Sequence, residues 1–231
     1  MYNQRKNLKE SLELLKRNGF EPSVILDIGV AEGTPDLYNV YPYSFYYLFE
    51  PLIEFEEHMQ SILQKIKGKY FLVAACDFTG QIKINVHTDH LSGSSILKES
   101  MGEVADGNER IIKTLKINDL LKDQLLNEKI LIKLDTQGSE LKALKGCSEI
   151  LNNVEVIITE VSMFRFMKDS PDFYDVIQYM KSINFVAYDI IFGWNRPLDG
   201  ALGQVDIVFV KETSNLRKNH SFSTPEQLRN I

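Results

Sequence analysis

This sequence predicts an α/β domain built on a doubly wound, mostly parallel sheet, and two patterns carry that expectation. Short apolar runs alternate with amphipathic helical stretches along most of the chain, which calls for crossover connections and helices on both faces of the sheet. The last two apolar runs, FVAYDIIF and VDIVFVK, have no helix between them, so they pair as neighbours only by running antiparallel. With 231 residues, 44% hydrophobic and 25% charged, the chain can bury a core as one domain.

The elements follow in order. Residues 4–18 place Leu8, Leu12, Leu14 and Leu15 among Lys, Arg and Glu at helical spacing, closed by Gly19. VILDIG, SFYYLFE and YFLVAAC read as strands, with a helix at IEFEEHMQSILQKIK between the second and third. QIKINVHT alternates apolar and polar residues after a turn at Thr79-Gly80, the pattern of a half-exposed hairpin strand, and IIKTLK is a strand leading into the helical NDLLKDQLL. KILIKLD, the helix SELKALKGCSEIL, VEVIITEV and the helix SPDFYDVIQYMKSI continue the rhythm, and an irregular GWNRPLDGALGQ joins the final strands. The expected division is an N-terminal helix at 1–19, the main domain at 20–212 and a polar C-terminal tail at 213–231.

Composition removes several functional classes. The net charge is −6 without a basic run, which argues against phosphate-backbone binding and hence against a nucleic-acid partner. Cys76 and Cys147 lack a CxxC partner or a histidine at metal spacing, so buried free thiols are expected. The first residues carry no apolar secretory core, and no run of about eighteen apolar residues is long enough to span a membrane. The chain therefore reads as cytoplasmic.

In a doubly wound sheet, ligands bind beyond the carboxyl ends of the strands, at the switch point. Asp27 ends the first strand there, and Gly29 and Gly33 frame the following loop, where absent side chains open the backbone to a ligand. A dinucleotide loop needs a third spaced glycine, and Glu32 inside this loop would repel a pyrophosphate. A ligand carrying an ammonium and a sulfonium fits better, and S-adenosylmethionine is such a ligand. Glu50 ends the second strand, where an acid accepts hydrogen bonds from ribose hydroxyls, and Pro51 opens the next helix. The plainer reading of Glu50 is a first-turn acid stabilised by the helix dipole.

In this order DIGVAEG, FEP, AACDFTG, LSGSS, IKLDTQGSELKALKG and ITEV resemble the FkbM family of S-adenosylmethionine-dependent methyltransferases, over residues 23 to 211. The most specific piece is IKLDTQGSELKALKG. The resemblance implies a class I methyltransferase (Rossmann-like) sheet of seven strands with the last antiparallel, and methyl transfer to a hydroxyl of a sugar, glycan or other natural product. Position by position, it implies that Asp27, Gly29 and Gly33 form the methionine-end loop, that Glu50 is the ribose acid, and that Asp77 lies near the adenine.

Asp77 has a turn residue as its rival reading. Asp135 ends the fourth strand, placed to bind the cofactor ammonium, activate a hydroxyl or ligate a divalent cation; capping of the following helix is the alternative. A metal has only that weak support, and no ligand set is read for one. Glu160 interrupts VEVIITEV and is the second candidate to orient or deprotonate an acceptor, against a structural pairing with Lys133 or Arg165. His87 is the candidate histidine base, with His90 beside it, and Ser95 a contact to cofactor or acceptor. Glu140 with Lys145 reads as a solvated helix face. Trp194, with Phe192 and Tyr188, offers rings that stack on sugars or simply pack. The acceptor is expected in loops 87–110, 162–172 and 192–204, and the N-terminal helix and exposed hairpin are surfaces for a homodimer. An NAD-dependent oxidoreductase of related layout and a catalytically silent cofactor-binding module are the competing readings.

Overall fold

The structure, a computed structural model, describes residues 5–229, apart from the side chain of Phe192. In chain order the elements are α1 (Leu8–Arg17), β1 (Val24–Ile28), α2 (Pro35–Val40), β2 (Phe45–Phe49), α3 (Glu56–Leu63), β3 (Lys67–Phe71), β4 (Ala74–Ala75), β5 (Gly80–Val86) and β6 (Asn108–Leu115). They continue with α4 (Ile117–Leu121), β7 (Ile130–Leu134), α5 (Glu140–Gly146), β8 (Val154–Ser162), α6 (Phe173–Ser182), β9 (Phe185–Asn195), β10 (Leu202–Lys211) and α7 (Pro225–Leu228).

One sheet holds seven strands in the order β3-β2-β1-β7-β8-β10-β9. Only β10 is antiparallel to its neighbours, β8 and β9, as the missing crossover required. The order reverses between β1 and β7, which opens a crevice at the carboxyl ends of those strands. Each face of the sheet has its own core. Val24, Leu26 and Ile28 of β1 pack with α4, α5 and α6 through Leu121, Leu144 and Met180. Ile25 faces the other way, toward Leu12 and Leu15 of α1, Leu37 of α2 and Met59 of α3. Strand side chains alternate between faces, so these clusters are the direct outcome of near-continuous apolar runs in strands buried on both sides.

Three expectations need correction. YFLVAAC is not one strand: β3 lies at the edge of the large sheet, while β4 belongs to a separate sheet of three strands, β4-β6-β5. The preceding helix stops at Leu63 because Lys67–Phe71 pairs with β2, where Gly68 packs so closely that a Cβ would stand 2.4 Å from the Tyr46 carbonyl oxygen. The segment taken as irregular between the last strands largely extends them, leaving a turn around Arg196–Ala201 in which the Arg196 amide donates to the Ala201 carbonyl at 2.8 Å. A helix also follows the glycine loop, with Thr34 at its N-cap position and Pro35 in its first turn.

Candidate functional site

The loop after β1 is held by its own packing. Gly29 has φ +79°, and a Cβ there would stand 1.8 Å from the Asp135 carbonyl oxygen. Its amide donates to the Phe49 carbonyl at 2.9 Å, and the Gly33 amide donates to Val30 at 2.7 Å. The first glycine is thus needed for the close approach of β1 and β7, whereas the sequence suggested room for a ligand. Between the glycines, Ala31 sits at φ +44°, and its amide donates to Glu50 Oε2 at 3.1 Å. Glu50 Oε1 accepts from the Leu52 amide at 3.0 Å, so the acid clamps the loop to the end of β2. An ionised carboxylate has about four acceptor positions, and two remain open here. Burial pushes the Glu50 carboxyl up to about 7, against the pull of the Leu52 and Ala31 amides.

These groups border a cleft of about 500 Å³, within the range of pockets that enclose a small-molecule ligand. Gly29, Glu32, Gly33, Glu50, Ser95, Asp135 and Glu160 line it, together with Lys133, Gln137 and Trp194. Leu52, Phe55 and Ile84 make an apolar wall where the small sheet meets the loop after β2.

Asp27 is absent from the lining. It lies inside β1 on the face it shares with Ile25, beneath α2, where it is fully buried and accepts from Tyr38 at 2.6 Å and Thr34 at 3.3 Å. Burial raises its carboxyl, partly offset by Lys133. Asp77 is also outside the cleft, exposed beside Cys76, whose thiol lies 3.3 Å from it. Both cysteines are free and buried.

Lys133 is the cation at the floor. It is Asp27's register partner on β7, on the same face, and its Nζ lies 3.2 Å from Asp135 Oδ2. Burial opposes its charge, but Asp135, Asp27 and Asp206 outweigh that and raise its pKa. Asp135 also accepts from the Gln137 side chain at 3.0 Å. Glu160 forms no hydrogen bond or ion pair through its carboxylate among the described residues. The pairings proposed from sequence are absent: Lys133 holds Asp135, and Arg165 holds Asp172 and Asp175. Burial pushes Glu160 up to about 8, with Asp135, Glu140 and Asp206 adding to the shift. Sequence reasoning named Lys133 only as a partner for Glu160 and not as a site residue, although it interrupts KILIKLD as Glu160 interrupts VEVIITEV.

The loop after β7 is similarly tied. Glu140 is buried, not solvated: its Oε1 accepts from the Thr136 amide at 3.0 Å and the Gly138 amide at 3.1 Å. Ser95 Oγ donates to the Gln137 carbonyl at 2.7 Å and holds that residue at φ +50°. His87 lies beyond this tie, in an adjoining cavity of about 260 Å³, with Nε2 3.8 Å from Glu99 Oε1. No cluster of His, Cys, Asp and Glu suited to hold a metal ion occurs among the described residues, and no helix there is long and apolar enough to cross a membrane.

No curated protein matches the chain. Solved structures with a similar arrangement include an S-adenosylmethionine-dependent methyltransferase from Clostridium acetobutylicum ATCC 824, 9% identical, covering 87% of this chain and 89% of that one at a TM-score of 0.49. Magnesium protoporphyrin IX methyltransferase from Synechocystis PCC 6803, with bound SAM, is 9% identical over 88% of this chain and 79% of its own, at a TM-score of 0.48. The N-methyltransferase NodS from Bradyrhizobium japonicum WM9 is 8% identical over 88% and 93%, also at 0.48. A family model described as the methyltransferase FkbM domain matches residues 27–187, the span that carries the glycine loop, Glu50, Asp135 and Glu160. The chain belongs to the FkbM methyltransferase family and has a class I methyltransferase fold.

Proposed function

We propose that this chain transfers a methyl group from S-adenosylmethionine to a hydroxyl of a sugar, glycan or glycosylated natural product. The observation that carries the cofactor is Glu50: a buried acid at the cleft wall, anchored by two amides and keeping two acceptor positions for a pair of ribose hydroxyls. The acids Glu32 and Asp135 around the same cleft suit a ligand with ammonium and sulfonium charges, and they oppose the pyrophosphate of NAD. Leu52, Phe55 and Ile84 offer an apolar slot for a purine.

When bound, S-adenosylmethionine supplies an electrophilic methyl group on a sulfonium, already an activated leaving group. What remains for the protein is alignment, worth several kcal/mol when nucleophile, methyl and sulfur lie in line. Asp135, held by Lys133 and Gln137, is suited to accept from the cofactor ammonium. Glu160, carrying a proton at neutral pH, is suited to donate a hydrogen bond that orients an acceptor hydroxyl.

Calorimetry with S-adenosylmethionine, S-adenosylhomocysteine and NAD tests the reading directly. The first two are expected to bind and to stabilise the fold by mass action, and NAD to do neither. Glu50→Ala is expected to weaken nucleoside binding by at least about tenfold, one charge-assisted hydrogen bond. A chain that binds NAD, or ignores both sulfur nucleosides, is not a methyltransferase of this kind.

A further inference from the structure

We infer that the cavity beside the cleft seats one uncharged, hydroxylated ring of the acceptor, and that His90, which borders both spaces, takes the proton of the reacting hydroxyl. This inference rests on the methyl-transfer reading above. The cavity joins the cleft through a common wall of His90, Gln137 and Gln204. Its own lining includes His87, Glu99, Ser162, Phe166 and Ser170. At about 260 Å³ it is smaller than the roughly 300–1,000 Å³ of pockets that enclose a whole drug-sized ligand, so it encloses a single ring and leaves the rest of a larger acceptor outside.

The lining selects for charge. No Lys or Arg contributes to it, whereas the half-buried carboxylate of Glu99 does. A phosphate or carboxylate entering here meets a like charge with no Lys or Arg to offset it. Hydroxyls, by contrast, meet donors and acceptors in Ser162, Ser170, Gln204 and His87, and Phe166 offers an apolar face to ring C–H groups. The wall is rigid on one side, because a Glu99–Met167 bridge and the Ser100-to-Phe166 and Lys168-to-Lys98 backbone bonds, at 2.9 and 2.7 Å, join the two loops that form it.

A short turn holds the backbone of His90, an exposed residue, at the shared wall. Its amide donates to His87 at 3.1 Å, and its carbonyl accepts from Gly93 at 2.9 Å. The imidazole lies against Gly93, where a Cβ would stand 2.6 Å from Cδ2. His87 faces only the side cavity and pairs with Glu99, which suits it to hold the ring. Glu160 retains its proton at neutral pH and is a poor base there. In the transfer, the acceptor oxygen forms a bond to the methyl carbon and the carbon–sulfur bond breaks with its electron pair left on sulfur. The hydroxyl proton passes to the His90 imidazole and then to water, leaving a methyl ether and S-adenosylhomocysteine.

The test uses the full chain with methyl glycosides of hexoses and 6-deoxyhexoses as neutral probes and hexose phosphates as anionic ones. S-adenosylmethionine binding is measured first; if it is absent, the methyl-transfer reading fails before any acceptor is added. Where it is present, a neutral probe is expected to yield S-adenosylhomocysteine and its methyl ether, and the phosphates neither. Ser162→Leu, filling the cavity, is expected to raise the probe KM at least about tenfold with cofactor affinity unchanged; Ser162→Val replaces it if the larger side chain prevents folding. His90→Gln is expected to lower kcat about a hundredfold with both affinities retained. The inference is overturned if phosphates are preferred, if no probe is bound or methylated by a chain that binds cofactor, if the Ser162 variant behaves as the parent, or if His90→Gln keeps its kcat.

Discussion

Glu160 on β8 and Asp206 on β10 are register partners, two carboxylates directly opposite each other at the carboxyl end of the sheet. Burial is the main cause that raises both, and Asp135 adds to each. Only Asp206 is outside the cleft lining. Removing its charge is therefore expected to relieve like-charge repulsion, which costs up to about 1 kcal/mol for a directly opposed pair. The sign follows from the raised values: stability from these acids is fully present below their unfolded pKa values and is lost as pH rises through the folded ones. Asp206→Asn should thus raise Tm above about pH 8 by a few degrees and leave it nearly unchanged in acid, measured by thermal unfolding across pH.

Lys133 answers for several acids at once. It pairs with Asp135 at 3.2 Å and also faces Asp27 and Asp206. Lys133→Met keeps most of the volume and leaves those carboxylates uncompensated. A loss of about 1–3 kcal/mol is expected, below the range for a fully buried pair because the Asp135 side chain is 40% exposed, read by urea denaturation near neutral pH. An unchanged midpoint would show that the acids are neutral without it.

Glu50 should impose a pH dependence on cofactor affinity. Its carboxyl is pushed up to about 7, and ribose hydroxyls donate best to its ionised form. Affinity for S-adenosylhomocysteine should therefore rise by about tenfold between about pH 6 and pH 8, and Glu50→Gln should flatten the curve. Titration calorimetry at fixed ionic strength reads both.

Gly29→Ala tests the loop's packing without touching a polar group. The new methyl would strike the Asp135 carbonyl, from a backbone at φ +79° that L side chains rarely adopt. A loss of about 3 kcal/mol or more is expected from strain and clash together. Gly19→Ala, with a similar φ of +86° and open space around it, should cost only about 1 kcal/mol, and the difference between the two isolates the carbonyl contact.

Much of the layout was legible in the one-dimensional pattern. The continuous apolar runs of β1, β7 and β8 announced strands buried on both faces, and the absent helix between β9 and β10 announced their antiparallel pairing. Glu50, Asp135 and Glu160 stood out as charges at the carboxyl ends of such runs, and all three border one cleft. Asp27 met the same criterion and lies elsewhere, because it sits inside β1, two residues back from the level of Glu50 and Asp135, where Tyr38 and Thr34 of the following segment take its carboxylate. Asp77 followed a strand that in fact divides between two sheets, so its distance from the cleft was not visible locally.

Local chemistry in the sequence determined the strands, most of the helices and the acids at the strand ends, because periodicity and the cost of burying charge act within a few residues. Tertiary structure alone decided which acids share a space and which pair with Lys133. It also brought the loop after β5 against the loop after β8 to enclose a second cavity beside the first. Those outcomes depend on pairing register and on contacts between residues far apart in the chain, which no short stretch encodes.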